Sequence, residues 1–415
     1  MALKISFVSL DMMKMLPDPL DFKCASLNSG VSVSQVKVRS DTQGTRTGGS
    51  QVTFTLPTAS LFDLKSMKLW FNITNNDTNQ YITPRVADHF IRQLTVQVNG
   101  STVSNIEYYG TIAGYLRDME VSGSEISSNA LSYERAIDAS SNALSYERAI
   151  DASSSAKIPV DGFKFGFLSG DWMRYLDTTL FKNVVITITL ANPWTIAGPA
   201  TPAALNNNNV VYTECYLTCN NVGFNDDTYR ALLKEEVQSE KGLDVFYKNM
   251  QVFPSTQFTG SIDWTFRVTS GSLDKLYGLV KYVDATKGNW LATSGTALSP
   301  YANSVGNAGL TYYYTVGGAR VIMYDADDQE AFSILRNAVD VKATNTYATW
   351  LSTDFCMATT LCLPHIKSGY NSFNSAVDIM LHVQGHDAYT KILLACAEMT
   401  SNVNLSDTNG VTIRT

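Results

Sequence analysis

Charge is scarce in this 415-residue chain: 17% of its residues are charged, against about a quarter in ordinary soluble domains. What charge there is leans acidic, with 38 Asp+Glu against 31 Lys+Arg and a net charge of −7. The basic stripe or tail of a nucleic-acid-coating protein is therefore missing, and phosphate backbones are not the expected partner. Disorder is excluded from the other side, because 45% of the residues are hydrophobic and such a chain buries a core. Histidine is down to 4 residues, which removes most His-based mechanisms by inventory. The 6 cysteines, Cys24, Cys215, Cys219, Cys356, Cys362 and Cys396, are too few and scattered for a disulfide framework and are expected as buried thiols in a reducing compartment. No apolar run reaches the ~18 residues of a membrane span. Lys4, Asp11 and Lys14 interrupt the apolar amino-terminal segment, which fits a secretory signal poorly. The expectation is a soluble chain made in a cytosol. Its length predicts two domains of roughly 150 to 200 residues, and its uncharged surface predicts burial in an oligomer.

What the sequence has in quantity is alternation. Gln51–Leu56, Met67–Ile73, Gln93–Val98 and Val184–Leu190 place apolar residues at every second position, the signature of half-buried antiparallel strands. Strands are also expected at Gly162–Leu168 and Val210–Val222. Asn99-Gly100 suits a two-residue hairpin turn. It precedes a helical spacing carried by Ile106, Tyr109, Ile112, Ala113, Leu116 and Met119. Asp226-Asp227-Thr228 opens a second helix that ends at Lys241-Gly242, read as a linker between two domains.

Beyond the linker the same order of features returns without sequence identity. Strands are expected at Leu243–Phe253, Ser261–Val268 and Leu273–Val283. Leu310–Val316 and Ala319–Tyr324 form a pair joined by Gly317-Gly318. A helix with Ala331, Ile334, Leu335 and Ala338 follows, then strands at Asp354–Leu363, Ala376–Gln384 and Lys391–Met399. Each half reads as about eight strands with a glycine hairpin ahead of one helix. The fold class is thus all-β: two tandem eight-stranded antiparallel jelly rolls, with short helices in the connections. The divisions are an amino-terminal arm over 1–29, a first roll over 30–225, a linker helix over 226–242 and a second roll over 243–415.

One segment breaks the pattern. Ser127–Ala139 recurs letter for letter as Ser140–Ala152. Two such copies in one continuous helix would face nearly opposite ways, so a recent tandem duplication or an assembly error in an exposed loop is the expectation.

Searched for chemistry, the chain yields no catalytic, cofactor or metal residues. His382 and His386 are four apart on a strand-then-turn pattern, not on the helix that aligns two ligands. Cys215 and Cys219 share a strand face but lack a second Cys/His pair. Asp325–Glu330 lacks the glycine and the distal glutamate of a calcium loop, and reads as an acid-rich helix start. Nucleophile-elbow, phosphate-loop and dinucleotide patterns are absent.

Two features stand out instead. Ile5, Val8, Met12, Met15 and Leu16 gather on one helical side, which suits an arm on a membrane or in a neighbouring subunit, and equally a tail packed on its own domain. Long, low-charge loops at Asn75–Ala87, Ser122–Ala156, Ala197–Asn209 and Ala285–Gly309 are expected to contact partners. Trp70, Tyr81, Trp172, Trp194, Trp290 and Tyr312–Tyr314 are the expected core or interface anchors.

The hairpin-helix unit from Leu94–Gly100 through Tyr115-Leu116, the linker Tyr229–Leu233, and Phe266–Val268 with Leu273–Val280 give the chain a resemblance. In this order of elements it resembles a double jelly-roll major capsid protein of the tectivirus and adenovirus lineage, which includes virophages and polinton-like viruses. The resemblance spans roughly residues 30 to 415. It implies a homotrimer of pseudo-hexagonal outline tiling an icosahedral shell, with outer loops and an inward arm. It implies as partners other copies of the chain, minor capsid, penton and cement proteins, and an internal membrane reached by the arm, with no sequence-specific nucleic acid. It implies a place in the virion, and neither enzyme activity nor a cofactor. The rival reading is a two-domain jelly-roll carbohydrate-binding protein using exposed aromatics.

Overall fold

The structure, a computed structural model, describes residues 31–76, 86–120, 135–137, 144–146, 153–170, 173–191, 210–224, 227–239, 242–282, 304–342, 347–362, 369–373, 375–406 and 410–414. The amino-terminal arm, Tyr81, Trp172, Trp194, Trp290 and most of the four long loops lie outside these residues.

The first half runs β1 (Val31–Arg39), β2 (Arg46–Thr47), β3 (Gln51–Thr55), β4 (Leu61–Asn75), a 3-10 turn (Ala87–Phe90), β5 (Ile91–Val98), β6 (Ser101–Glu107) and helix α1 (Tyr109–Glu120). It continues through β7 (Arg135–Ile137), β8 (Leu144–Tyr146), β9 (Ser154–Asp161), β10 (Tyr175–Asp177), β11 (Val184–Leu190) and β12 (Val210–Phe224). Helix α2 (Asp227–Gln238) follows. The second half runs β13 (Leu243–Pro254), β14 (Ile262–Val268), β15 (Leu273–Tyr282), β16 (Thr311–Val316), β17 (Ala319–Arg320), β18 (Ala326–Asp327), α3 (Asp328–Ala338) and α4 (Tyr347–Thr353). It ends with β19 (Met357–Thr360), β20 (Val377–Gln384), β21 (Lys391–Ser406) and β22 (Gly410–Arg414).

All the pairings between these strands are antiparallel, and they repeat. In the first half one sheet joins β1 to β12, β12 to β4 and β4 to β9, and the other has the order β3-β11-β5-β6. In the second half the sheets have the orders β13-β21-β15-β19 and β14-β20-β16-β17. Strand for strand this is one connectivity used twice, and among the described residues no strand pairs across the halves. The chain is a double jelly roll. Alternation builds each core: Val184, Ile186, Ile188 and Leu190 of β11 are buried while the residues between them are half-exposed. In the second roll Tyr314 spans the two sheets, its hydroxyl donating to the Met357 carbonyl at 3.0 Å.

The two glycine hairpins also correspond. Val98 pairs with Ser101 around Asn99 (φ 52°) and Gly100 (φ 80°), and Val316 with Ala319 around Gly317 (φ 58°) and Gly318 (φ 82°). Positive φ at both central residues gives the twist that closes a two-residue hairpin.

Several boundaries move from the expected ones. Gly162–Leu168 is not a strand. Its phenylalanines at 163, 165 and 167 keep a period of two, but Gly162 (φ 65°) and Gly166 (φ 91°) bend the backbone out of any ladder. Ile106 belongs to β6, and Tyr108 at φ 52° separates that strand from α1. The expected strand at Ala319–Tyr324 stops at Arg320, and the one at Asp354–Leu363 shrinks to β19. The strand begun at Lys391 runs on to Ser406. The two copies of the repeat form no continuous helix where they are described: Arg135–Ile137 of one pairs with Leu144–Tyr146 of the other as a small hairpin of its own.

Candidate assembly surfaces

Helix α1 is buried nearly all round, and the reason lies in two different partners. On one side it packs against its own roll. Gly110 rests on the 3-10 turn so closely that a Cβ there would sit 2.4 Å from the carbonyl oxygens of Asp88 and Ile91. Arg117 pairs with the buried Asp88 (Nε to Oδ2 2.8 Å) and donates to the Asp161 carbonyl at 2.8 Å. Burial pushes the Asp88 carboxyl above its usual range, while Arg117 works against that shift.

On its other side α1 meets the second roll. Lys281 of β15 reaches Thr111 Oγ1 at 3.4 Å, and the Lys342 amide donates to the Met119 carbonyl at 2.9 Å. Burial holds the Tyr115 phenol far above its ordinary value, with Cys356 and Asp354 of the second roll adding to the shift. The covered surface is the outer face of the sheet β13-β21-β15-β19. It carries Tyr277, whose hydroxyl donates to Glu398 Oε2 at 2.8 Å, together with Cys396 and Lys281, all buried. Burial drives the Lys281 amine down to about 7. Nearby, the bent segment 162–168 lies along the edge of β13, where the Gly166 amide donates to the Lys248 carbonyl at 2.8 Å. Tyr247 enters the first roll there, donating to the Val103 carbonyl and packing edge-on against Phe167 at 5.7 Å.

Among the described residues, the corresponding outer face of the first roll, on β1, β12, β4 and β9, exposes Lys37, Arg39, Lys68 and Lys157, while Tyr216 within it is buried. Trp70 and Tyr216 stack on it at 6.0 Å and 13°, and Trp70 Nε1 donates to Thr218 at 2.9 Å. Lys37 lies 3.6 Å from the Tyr216 ring centroid and Lys157 lies 4.8 Å from it, from the strands on either side. Lys37 also pairs with Glu214 at 2.8 Å and holds that carboxyl below its usual range.

The sequence-level candidates fall as follows. Trp70 sits on this open face and is half-buried; Tyr312 and Tyr314 are core; Tyr313 lies on the outside of the β14-β20-β16-β17 sheet, stacked on His382 at 4.7 Å with Arg320 above it. Trp350, which sequence reasoning passed over, is fully buried, packed between Phe332 and Phe355. His382 and His386 take separate roles. His382 meets Asp263 in the open, whereas His386 is buried, in hydrogen-bond contact with the Val305 carbonyl and the Asp387 amide; its burial, with the nearby Lys391 charge, lowers its titration to about 4. Among the described residues no group of three or more His, Cys, Asp or Glu is placed to hold a metal ion. Cys215 and Cys219 are buried and free, their thiols raised to about 12 and about 11 by that burial. The acid run opens α3: Asp327 caps it by accepting from the Glu330 amide at 2.8 Å, and the Glu330 carboxylate accepts from the Asp327 amide at 3.1 Å. An open groove of about 710 Å³ lies at the hairpin end of the second roll, with Gly317, Tyr370, Asn371, Ser372 and Met380 in its wall.

No known protein family and no curated protein matches the sequence. Solved structures match nearly end to end. The PBCV-1 virus capsid is similar at a TM-score of 0.62 and 10% identity, over 92% of this chain and 96% of that one. The faustovirus major capsid protein is similar at 0.61 and 10%, over 94% of each chain. The structure of the Sputnik virophage is similar at 0.60 and 12%, over 92% of this chain and 88% of that one. The chain therefore has the double jelly-roll fold of these viral capsid proteins.

Proposed function

We propose that the chain is a major capsid protein that self-assembles into a homotrimer of pseudo-hexagonal outline and tiles an icosahedral virus shell. The observation that carries this reading is the use of one jelly-roll connectivity twice in a single chain, together with end-to-end similarity to capsid proteins of unrelated sequence. Three chains of two similar barrels supply six similar units, which is what a hexagonal lattice position takes. The low charge of the chain suits a surface buried between copies. In this reading residues 1–29 form an arm, 30–225 the first roll, 226–242 the linker and 243–415 the second roll. The partners are other copies, then minor capsid, penton and cement proteins, with an internal membrane as the surface the arm meets. Its place is the virion shell, after synthesis in the host cytoplasm, and its work is structural, not enzymatic.

Light scattering on purified protein tests this. A stable particle of three times 45.6 kDa, or a larger assembly, is the expected result. A clean monomer at every concentration would overturn it. Sugars that raise the melting temperature of such a monomer would move the reading to a carbohydrate-binding protein, with the groove at Tyr370 as the place to look.

A further inference from the structure

At the glycine hairpin of the second roll, the outer face of the β14-β20-β16-β17 sheet and the segment from Tyr370 to Ala376 enclose the groove described above. We propose that this groove binds a neutral saccharide, with Tyr370 as the ring on which the sugar stacks and the surrounding hydroxyls and amide as its hydrogen-bonding groups. The inference stands on the groove itself and holds whether or not the chain forms a capsomer.

Three observations carry it. The first is a concentration of unused polar groups. Thr265 of β14, Thr315 of β16, Tyr370, Asn371 and Ser375 line the groove. The four hydroxyls and the Asn371 side-chain nitrogen make no hydrogen bond to any described residue. The register shows that this belongs to the second roll. Thr265, Met380 and Thr315 lie side by side across the sheet, one position inside the Val316 that opens the hairpin. In the first roll the same row is Thr55, Val185 and Gln97, one position inside Val98. There the polar ends are satisfied within the protein: Thr55 Oγ1 donates to Asp41 at 2.9 Å and Gln97 Nε2 to Thr102 at 3.4 Å. The second observation is charge. Asp378 is the charged residue among the described residues of the wall. Arg267 neutralises it with two bonds, Nε to Oδ1 at 2.7 Å and Nη2 to Oδ2 at 3.1 Å. A phosphate, sulfate or carboxylate therefore finds no unpaired cation here, and an acyl chain would leave the hydroxyls and the amide dry and unpaired. A ligand with many hydroxyls and a flat C–H face, which is a pyranose, suits both the polar groups and an aromatic ring with a polar tip. The third is shape. Tyr370 is 45% exposed, with its hydroxyl 3.8 Å from the place a Cβ would take on Gly317, and Phe373 on the same segment is 52% exposed. The segment that presents these rings is pinned. Tyr370 and Leu273 exchange both backbone bonds at 2.8 Å, the buried Ser372 hydroxyl accepts from the Ser270 amide at 2.9 Å, and Asn371 Oδ1 accepts from the Phe373 amide at 3.0 Å. A wall set in advance loses little affinity to ordering, and a groove of about 710 Å³ has the size of a small-molecule site.

The experiment uses the full chain and saturation-transfer difference NMR. The probes are the methyl glycosides of D-glucose, D-galactose, D-mannose, L-fucose and N-acetyl-D-glucosamine. Transfer to the ring C–H protons of at least one glycoside is the expected result. Tyr370→Ala should weaken that binding by about tenfold, Tyr370→Phe should weaken it less, and Thr265→Val with Thr315→Val should weaken it while keeping the shape of the sheet. These side chains are exposed or half-exposed, and near-UV circular dichroism checks that each variant keeps its native packing. No transfer to any of the glycosides would overturn the inference, as would transfer that Tyr370→Ala leaves unchanged or a glycoside that inorganic phosphate displaces at equal concentration. Light scattering on the same samples gives the mass and decides the capsomer reading separately. A trimer that binds no glycoside overturns the saccharide site alone, and a monomer that binds one overturns the capsomer alone.

Discussion

The two rolls use one connectivity but treat the same sheet in opposite ways. In the first roll, β4 alternates between buried and open positions along most of its length, as a strand with one wet face does. In the second, β15 is buried at eight of ten positions and β21 is buried on both faces from Leu393 to Met399. The connectivity does not cause this difference; the neighbour does. The second sheet lies under α1 and has become the inside of a larger body, whereas the first has kept the surface of a free barrel. A tandem repeat thus shows, within one chain, both the covered and the uncovered state of one face.

The comparison is broken most severely at Tyr247, which belongs to the second roll and is buried in the first. Tyr247→Ala removes a fully buried ring at the junction, and a loss of roughly 3 to 5 kcal/mol is expected from cavity formation. Tyr247→Phe keeps the ring and removes the bond to the Val103 carbonyl, for about 1 kcal/mol. Urea unfolding followed by tryptophan fluorescence checks both. Equal small losses for the two variants would mean that the rolls are held together elsewhere.

How much of this was legible in the sequence follows from which forces are local. The hairpins at Asn99-Gly100 and Gly317-Gly318, the helix start at Asp327 and the alternation of β11 depend on backbone preferences within a few residues, and each stands where expected. Gly162–Leu168 was misread because its phenylalanines keep strand period while its glycines leave strand geometry. The covered face was visible in principle: Leu276–Val280 and Ile392–Ala397 are continuous apolar runs, the pattern of strands buried on both faces. What covers them was not, since α1 lies more than 150 residues upstream of Lys281 (Thr111 and Lys281 are 170 apart). The open face was equally hidden, because Lys37, Tyr216 and Lys157 meet only through strand pairing.

Burial of Lys281 makes the covered face sensitive to pH. Its amine titrates near 7 in the folded chain and near 10.4 when unfolded. Between those values the unfolded chain holds the extra proton, so this residue makes stability rise with pH, by up to about 1.4 kcal/mol per pH unit. Below pH 7 both states are protonated and the cost of burying the charge is present in full. Lys281→Met removes this slope. The check is the difference between wild-type and variant unfolding free energies at pH 7, 8 and 9, which cancels the other groups that titrate there. A constant difference would mean that Lys281 stays charged and solvated, and that the outer face of β15 is less covered than α1 makes it.

On the open face the smallest effect is expected, and it is the one that separates the two rolls most sharply. Lys37 and Glu214 form an ion pair whose side chains are 40% and 46% exposed. Exposed pairs contribute under about 1 kcal/mol and are screened by salt. Lys37→Gln should therefore barely move the unfolding midpoint of the chain. If the proposed trimer buries this face, the same substitution acts on association, because the Lys37–Glu214 pair then lies in a contact that excludes water. Its effect on the dissociation midpoint at low salt should exceed its effect on unfolding, and should shrink as salt is added. The opposite ranking would mean that Lys37 serves only to hold β1 against β12, and that the face left open in one chain stays open between chains.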